Sequence, residues 1–216
     1  MIPDTILFDI GGVLSHDGHE TYLTDSVYGL LRKFDIPNQV IFEKTAPVFR
    51  KYAVLQEANE LDFWDEISQA LGVEITSKDI QTVKRRLDCT NHEAAAAFRL
   101  LKDRGIRIGI ISNSTPFFYP QMARSLSLAE YTDSSFSFLS YEAGRLKSGG
   151  LFELAAAKAY PPKTFIIDDR LKNVTYAQNL GFTSEQYSIT SGESLLALVR
   201  EVVDPPKLKG TEVCKH

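Results

Sequence analysis

The chain has 216 residues, 44% of them hydrophobic and 24% charged, which excludes a disordered chain and suits one domain with a large insertion or a large and a small domain. Its formal net charge is −4 with no run of five basic residues, so nucleic acid is not an expected partner, and no apolar stretch approaches the length of a membrane span. The first Lys or Arg is Arg32, which gives a secretory leader no charged start and points to the cytoplasm, while Cys89 and Cys214 are too few for a metal cluster and are not expected to pair.

Ile6, Leu7, Phe8 and Ile10 make a short apolar run ending at Gly11-Gly12, which predicts a buried strand stopping at a turn. From about residue 20 to 87 the pattern is helical, with Phe63, Trp64, Ile67, Ala70 and Leu71 on one face of a helix closed by Gly72. Companion helices are expected at 22–34, 39–55 and 79–87, with Pro37 parting the first two and Thr76 available to cap the last. Thr90-Asn91-His92-Glu93 fits a capping box, followed by the stripe Ala94, Ala97, Phe98 and Leu101. Strands and helices then alternate: strand 107–112, helix 120–128, a short strand near 136–139, helix 151–160, strand 164–167, helix 171–180, strand 186–189 and helix 193–203. This alternation predicts an α/β fold, a doubly wound, mostly parallel, Rossmann-like sheet with a helical module inserted after the first strand. The expected division is a core of residues 1–15 and 90–203, a helical insertion of residues 16–89, and a polar tail, 204–216, with too little apolar surface to fold.

Ligands of open parallel sheets bind outside the carboxyl ends of the strands, where the strand order reverses. At those ends the sequence puts Asp9, Ser112-Asn113-Ser114 and Asp168-Asp169, and it puts Lys147 in a glycine-rich approach to helix 151–160. Singly, each reads as a turn residue, a cap or a solvated lysine. Adjacent carboxylates after the apolar run Phe165-Ile166-Ile167, however, repel each other unless a cation joins them. Together these groups suit phosphoryl transfer through an aspartyl intermediate, which needs a carboxylate nucleophile, a divalent cation, and an ammonium with hydrogen-bond donors around the transition state. Asp9, Asp169 and a carbonyl of the glycine turn could supply oxygen ligands to Mg²⁺.

Phe8-Asp9-Ile10-Gly11-Gly12-Val13-Leu14, Ile110-Ile111-Ser112-Asn113, Lys147, and Phe165-Ile166-Ile167-Asp168-Asp169-Arg170-Leu171-Lys172-Asn173 resemble, in order and spacing, the four motifs of the haloacid dehalogenase (HAD) superfamily. The helical block before Thr90 resembles its class I cap, and the double aspartate resembles the superfamily's phosphatases. The resemblance implies Asp9 as nucleophile and metal ligand, Asp169 and the Gly11 carbonyl as further metal ligands, and Asp168 as a supporting carboxylate beside them. It implies Ser112, Asn113 and Gly12 around the transferring phosphoryl group, Lys147 bridging nucleophile and phosphate, and Asn173 orienting the acidic loop. The implied cofactor is Mg²⁺ and the implied substrate a small-molecule phosphate ester, whose leaving group the cap would select around residues 59–64 and 12–19. Monomer and homodimer both fit.

The superfamily's usual motif has a second aspartate two residues after the nucleophile, acting as general acid and base; here Gly11 stands in its place. That role is typically worth about 10²–10⁴-fold in rate. His16 and Asp17 are the nearest replacements in sequence. Two alternatives therefore stand beside the phosphatase: a weak or silent HAD-like binding or regulatory protein, and a metal-independent 2-haloacid dehalogenase. Phe63 and Trp64 read as cap core, Phe117-Phe118-Tyr119 as either site lining or packing beneath the cap, and His92 as a surface residue. The four histidines show no ligand spacing, so zinc is not expected.

Overall fold

Thr5-Ile6-Leu7-Phe8 forms strand β1 (Thr5–Phe8), buried on both faces as a central parallel strand must be. The computed structural model describes residues 2–16 and 34–205, with Arg86 described in its backbone alone. Most of the helix expected at 22–34, as well as Asp17, Cys214 and the tail from residue 206, lies outside the described residues. After β1 come α1 (Asn38–Tyr52), α2 (Glu60–Leu71) and α3 (Ser77–Leu87), and then α4 (Ala94–Asp103), which leads back to the sheet. The rest alternates: β2 (Arg107–Ser112), α5 (Tyr119–Ser125), α6 (Leu128–Tyr131), β3 (Ser137–Leu139), α7 (Ser140–Ala143), α8 (Leu151–Lys158), β4 (Thr164–Asp168), α9 (Leu171–Asn179), β5 (Thr183–Gln186) and α10 (Leu195–Val203).

All five strands are parallel in the order β3-β2-β1-β4-β5, so β1 lies at the centre and the chain winds outward from it in both directions. The period-2 alternation of each strand divides its side chains between two apolar layers. Ile6, Phe8, Ile110 and Ile167 join a large cluster that takes in α4, α10 and the inserted helices, whereas Leu7, Ile111 and Ile166 meet Phe152 and Ala155 of α8 and Ala177 of α9. Phe63 links the insertion to the sheet domain. Its ring meets Tyr52, Trp64 and Phe118 edge-on at 5.4, 5.1 and 5.7 Å. Among the described residues, no helix is long and apolar enough to cross a membrane.

Several elements depart from expectation for identifiable reasons. The helix expected at 120–128 breaks in two at Ser127, whose φ is 51°. The last strand lies at Thr183–Gln186 rather than 186–189, because it is a polar edge strand in which Ser184 alone is buried. The apolar residues that suggested the later position dock the strand's exit instead: Tyr187 is buried, and the Ile189 N–H donates to the Gly12 carbonyl at 2.8 Å. Thr76 caps α3 as expected, its Oγ accepting from the Asp79 N–H at 3.4 Å while Asp79 takes the Thr76 N–H at 2.9 Å. The box expected at Thr90–Glu93 is not formed. Asn91 Oδ1 accepts the Glu93 N–H at 3.0 Å, and the Glu93 carboxylate turns to the start of α10, accepting from Ser194 Oγ at 2.9 Å and the Leu196 N–H at 3.2 Å.

Candidate active site

The parallel register sets Phe8 level with Ile110 and Ile167, so the carboxyl ends of β1, β2 and β4 finish side by side. The winding of the sheet reverses at this point. One residue beyond Phe8 stands Asp9, its N–H bonded to the Ile167 carbonyl at 2.9 Å. Ser112 ends β2 and Asp168 ends β4. Lys147 enters from a short 3-10 turn ahead of α8, and its backbone N–H is anchored by Asn113 Oδ1 at 2.9 Å.

Lys147 is 2% exposed, and its Nζ lies 2.5 Å from Asp9 Oδ2 and 2.6 Å from Asp168 Oδ2. The other oxygen of Asp9 accepts from the Ile10 N–H at 2.7 Å and Ser112 Oγ at 2.8 Å. The other oxygen of Asp168 accepts from the Arg170 N–H and Asn173 Nδ2, both at 2.9 Å. Burial pushes the Asp9 carboxyl up to about 6; the Lys147 ammonium opposes this and the Asp168 charge adds to it. For Lys147, burial favours loss of the proton, but the Asp168 and Asp9 carboxylates outweigh it and hold the ammonium above its ordinary value.

Asp9, Asp168 and Asp169 each bring an oxygen within 4.8 Å of the others. Three carboxylates thus crowd together where Lys147 pairs with two of them, and Arg170 Nε lies 4.0 Å from Asp169 Oδ2. An all-oxygen, strongly anionic donor set suits a hard divalent cation such as Mg²⁺, which these residues could hold. The glycine turn is built around this cluster. Gly12 has φ 78°, and a Cβ on it would stand 2.5 Å from the Asp169 carboxylate. Both the backbone and the close approach therefore require glycine.

Asn91 holds the same turn from behind. Its Nδ2 donates to the Val13 carbonyl at 3.1 Å and the Tyr187 hydroxyl at 2.9 Å, and its N–H to the Leu14 carbonyl at 2.8 Å. The sequence shows Asn91 only as a polar residue before a helix and carries no signal for this bracing. The residues expected at the site, Asp9, Gly11, Gly12, Ser112, Asn113, Lys147, Asp168, Asp169 and Asn173, are brought together. His16 does not line the cavity beside them; its Nδ1 is buried and has no hydrogen-bond partner among the described residues.

That cavity, of about 250 Å³, lies over Asp9, Gly11, Ser112, Asn113 and Lys147 and is bounded by Arg170, Lys172 and Asn173. Its far wall comes from the insertion, but not from residues 59–64 as expected. Phe63 and Trp64 are buried in the core, and the lining comes from α1, through Phe42, Ala46, Phe49 and Arg50, and from Leu87. Phe118 plays both roles proposed for its segment, lining the cavity while packing on Phe63 and Trp64.

Solved structures with this fold include a HAD family enzyme of Bacteroides thetaiotaomicron, 19% identical with a TM-score of 0.66 over 93% of this chain and 100% of that one. A structure of that enzyme in complex with magnesium and inorganic phosphate is 20% identical, with a TM-score of 0.65 over 91% and 98% of the two chains. An L-2-haloacid dehalogenase of Xanthobacter autotrophicus is 20% identical, with a TM-score of 0.59 over 95% and 84%. A comparison with curated proteins finds no match. The family model described as haloacid dehalogenase-like hydrolase matches residues 3–181, most of the chain, and the chain belongs to that family.

Proposed function

We propose that this protein is a Mg²⁺-dependent phosphatase that hydrolyses a small phosphorylated metabolite through an aspartyl-phosphate intermediate on Asp9. The observation that carries the reading is the buried Asp9–Lys147–Asp168 arrangement, which presents a carboxylate beside an ammonium on the lining of a cavity with further cations on its wall. It is supported by the magnesium and phosphate complex of the Bacteroides enzyme with the same fold. Asp9, Asp169 and the Gly11 carbonyl would hold the metal, with Asp168 beside them. Bound there, Mg²⁺ would neutralise phosphoryl oxygens and the acidic cluster.

The remaining chemistry belongs to the chain. The Ile10 N–H and Ser112 hydroxyl fix Oδ1 of Asp9 and thereby the plane of its carboxylate, so that Oδ2 meets the phosphorus. Lys147 bridges nucleophile and phosphoryl oxygen, and Asp168 holds that ammonium in place through its own bonds to Arg170 and Asn173. Donors already oriented need no reorganisation as charge moves, which is the source of their catalytic effect.

The test is p-nitrophenyl phosphate hydrolysis with Mg²⁺ and with EDTA, in wild type and Asp9→Asn. Metal-dependent turnover, lost in Asp9→Asn, is the expected result. Halide release from a 2-haloacid that persists in EDTA would instead support the dehalogenase reading. No turnover by a folded protein would leave a binding role.

A further inference from the structure

The cation site proposed above has two sides, the Gly11-Gly12 turn after β1 and the Asp168-Asp169 pair at the end of β4, and a single segment at the end of β5 is bonded to both. The Tyr187 N–H donates to the Asp168 carbonyl at 3.0 Å and Gln186 Nε2 to the Asp169 carbonyl at 2.9 Å, while the Ile189 N–H donates to the Gly12 carbonyl at 2.8 Å. Asn91 closes the circuit. Its Nδ2 donates to the Val13 carbonyl at 3.1 Å and to the Tyr187 hydroxyl at 2.9 Å, and both side chains are buried.

A carbonyl ligand is aimed by the backbone that carries it, and glycine leaves that backbone the most freedom. Within the turn, the Ile10 carbonyl accepts from the Val13, Leu14 and Ser15 N–H groups at 3.3, 3.0 and 2.9 Å, which sets its shape locally. The pairing of β1 with β4 fixes the root of the turn beside the acidic pair. Its far side is held from elsewhere in the chain, at Gly12 by Ile189 and at Val13 and Leu14 by Asn91. We infer that Asn91 and Tyr187 are positioning residues, which hold the Gly11 carbonyl in place against the Asp168-Asp169 pair and so set the affinity for the divalent cation. This rests on the metal site of the phosphatase reading above.

Asn91 has a second role that can be separated from this one. Its Oδ1 accepts the Glu93 N–H at 3.0 Å ahead of α4, a helix-start bond that serine can also make. Serine is too short to carry a donor to the Val13 carbonyl as well, so Asn91→Ser keeps the helix start and removes the brace. Tyr187→Phe keeps the buried ring and removes the hydroxyl that orients the amide. Glu93→Ala is the control, because it loosens the same junction of α4 and α10, through Ser194 and Leu196, without removing a bond to the turn.

The experiment titrates Mn²⁺ into each protein without substrate, reading free Mn²⁺ by electron paramagnetic resonance, and measures the Mg²⁺ dependence of p-nitrophenyl phosphate turnover alongside. Asn91→Ser is expected to raise the Mn²⁺ dissociation constant about 10-fold or more and Tyr187→Phe about threefold, with Glu93→Ala at the wild-type value. The Mg²⁺ concentration for half-maximal turnover should rise in the same order, while kcat at saturating Mg²⁺ stays within about threefold of wild type. Wild-type affinity in both Asn91→Ser and Tyr187→Phe, or an equal loss in Glu93→Ala, means that the junction is structural only and overturns the inference. Should Asn91→Ser fail to fold, Tyr187→Phe against Glu93→Ala decides it in the same way. A wild type that binds Mn²⁺ and follows this order but hydrolyses no ester overturns the phosphatase and leaves the brace standing. A folded wild type that binds no Mn²⁺ overturns both.

Discussion

Burying an ammonium to 2% exposure is tolerable only where anions meet it, and Lys147 meets two at 2.5 and 2.6 Å. The relation also runs the other way: Asp9 and Asp168 depend on that single positive charge. Lys147→Met is expected to destabilise the protein by about 3 kcal/mol or more, read from the midpoint of urea unfolding, because it leaves two buried carboxylates facing each other. Glycine substitutions in two different turns give a second check. At Gly12, alanine meets both a φ of 78° and the Asp169 carboxylate 2.5 Å away; at Gly144, φ is 64° but the space is open. Gly144→Ala should cost about 1 kcal/mol and leave turnover intact, whereas Gly12→Ala should cost about 1–3 kcal/mol and lose most metal-dependent turnover. The chemistry-bearing residues were legible in sequence because strand ends in a parallel sheet converge by topology. Asn91 and Arg50 were not. A bracing amide and a wall-lining arginine look like any polar side chain until the tertiary structure says what faces them.

At the scale of elements, the starts of α4 and α10 are tied together by one side chain. Glu93, just ahead of α4, accepts from Ser194 Oγ and the Leu196 N–H, while Ser194 Oγ accepts the Ala197 N–H at 3.0 Å. Partial burial raises the Glu93 carboxyl, but the bonds from Ser194 and from the backbone of Leu196 and Leu195 outweigh it and hold it below its ordinary value. A carboxyl lowered on folding contributes stability above its unfolded value, about 4.5, and that contribution disappears as pH falls through the lowered folded value. Glu93→Ala is therefore expected to cost about 1 kcal/mol at neutral pH, with the gap from wild type closing once the pH is well below 4.5. A gap independent of pH would mean that the loss is one of packing. Sequence periodicity found β2 at its observed bounds because five of its six residues are buried and mostly apolar. It misplaced β5 because an edge strand that buries one residue of four has no apolar alternation to detect.

The insertion and the sheet domain share one continuous apolar cluster, running from Phe8 and Ile110 through Phe118 to Phe63, Trp64 and Ile67. The helical character of the insertion was readable from its 3.6-residue period, but that period does not say which of its helices faces the site. The answer depends on how α1 and α2 divide between them the cavity and the Phe117–Phe118 rings, a tertiary matter. Phe63 of α2 packs on both rings while α1 touches only Phe117, through Tyr52 at its last residue, and the rest of α1 supplies the wall. Trp64 is the only tryptophan and lies on α2 against Phe118, so its fluorescence reports whether the insertion remains packed on the sheet domain. If the shared cluster makes the two parts one cooperative unit, the denaturant transition seen by Trp64 fluorescence should coincide with that seen by far-ultraviolet circular dichroism. Phe63→Ala, which removes the ring that Tyr52, Trp64, Phe117 and Phe118 all meet, should move both transitions together by about 3–5 kcal/mol. An early fluorescence transition with the circular dichroism lagging would instead make the insertion an independently melting layer. The catalytic consequence differs between the two cases, because the α1 wall is held over Asp9 through this cluster. In the cooperative case, Phe63→Ala assayed well below its transition should keep kcat within about twofold of wild type, since the surviving molecules hold the wall in place. In the layered case kcat/KM should fall before any loss of secondary structure is seen.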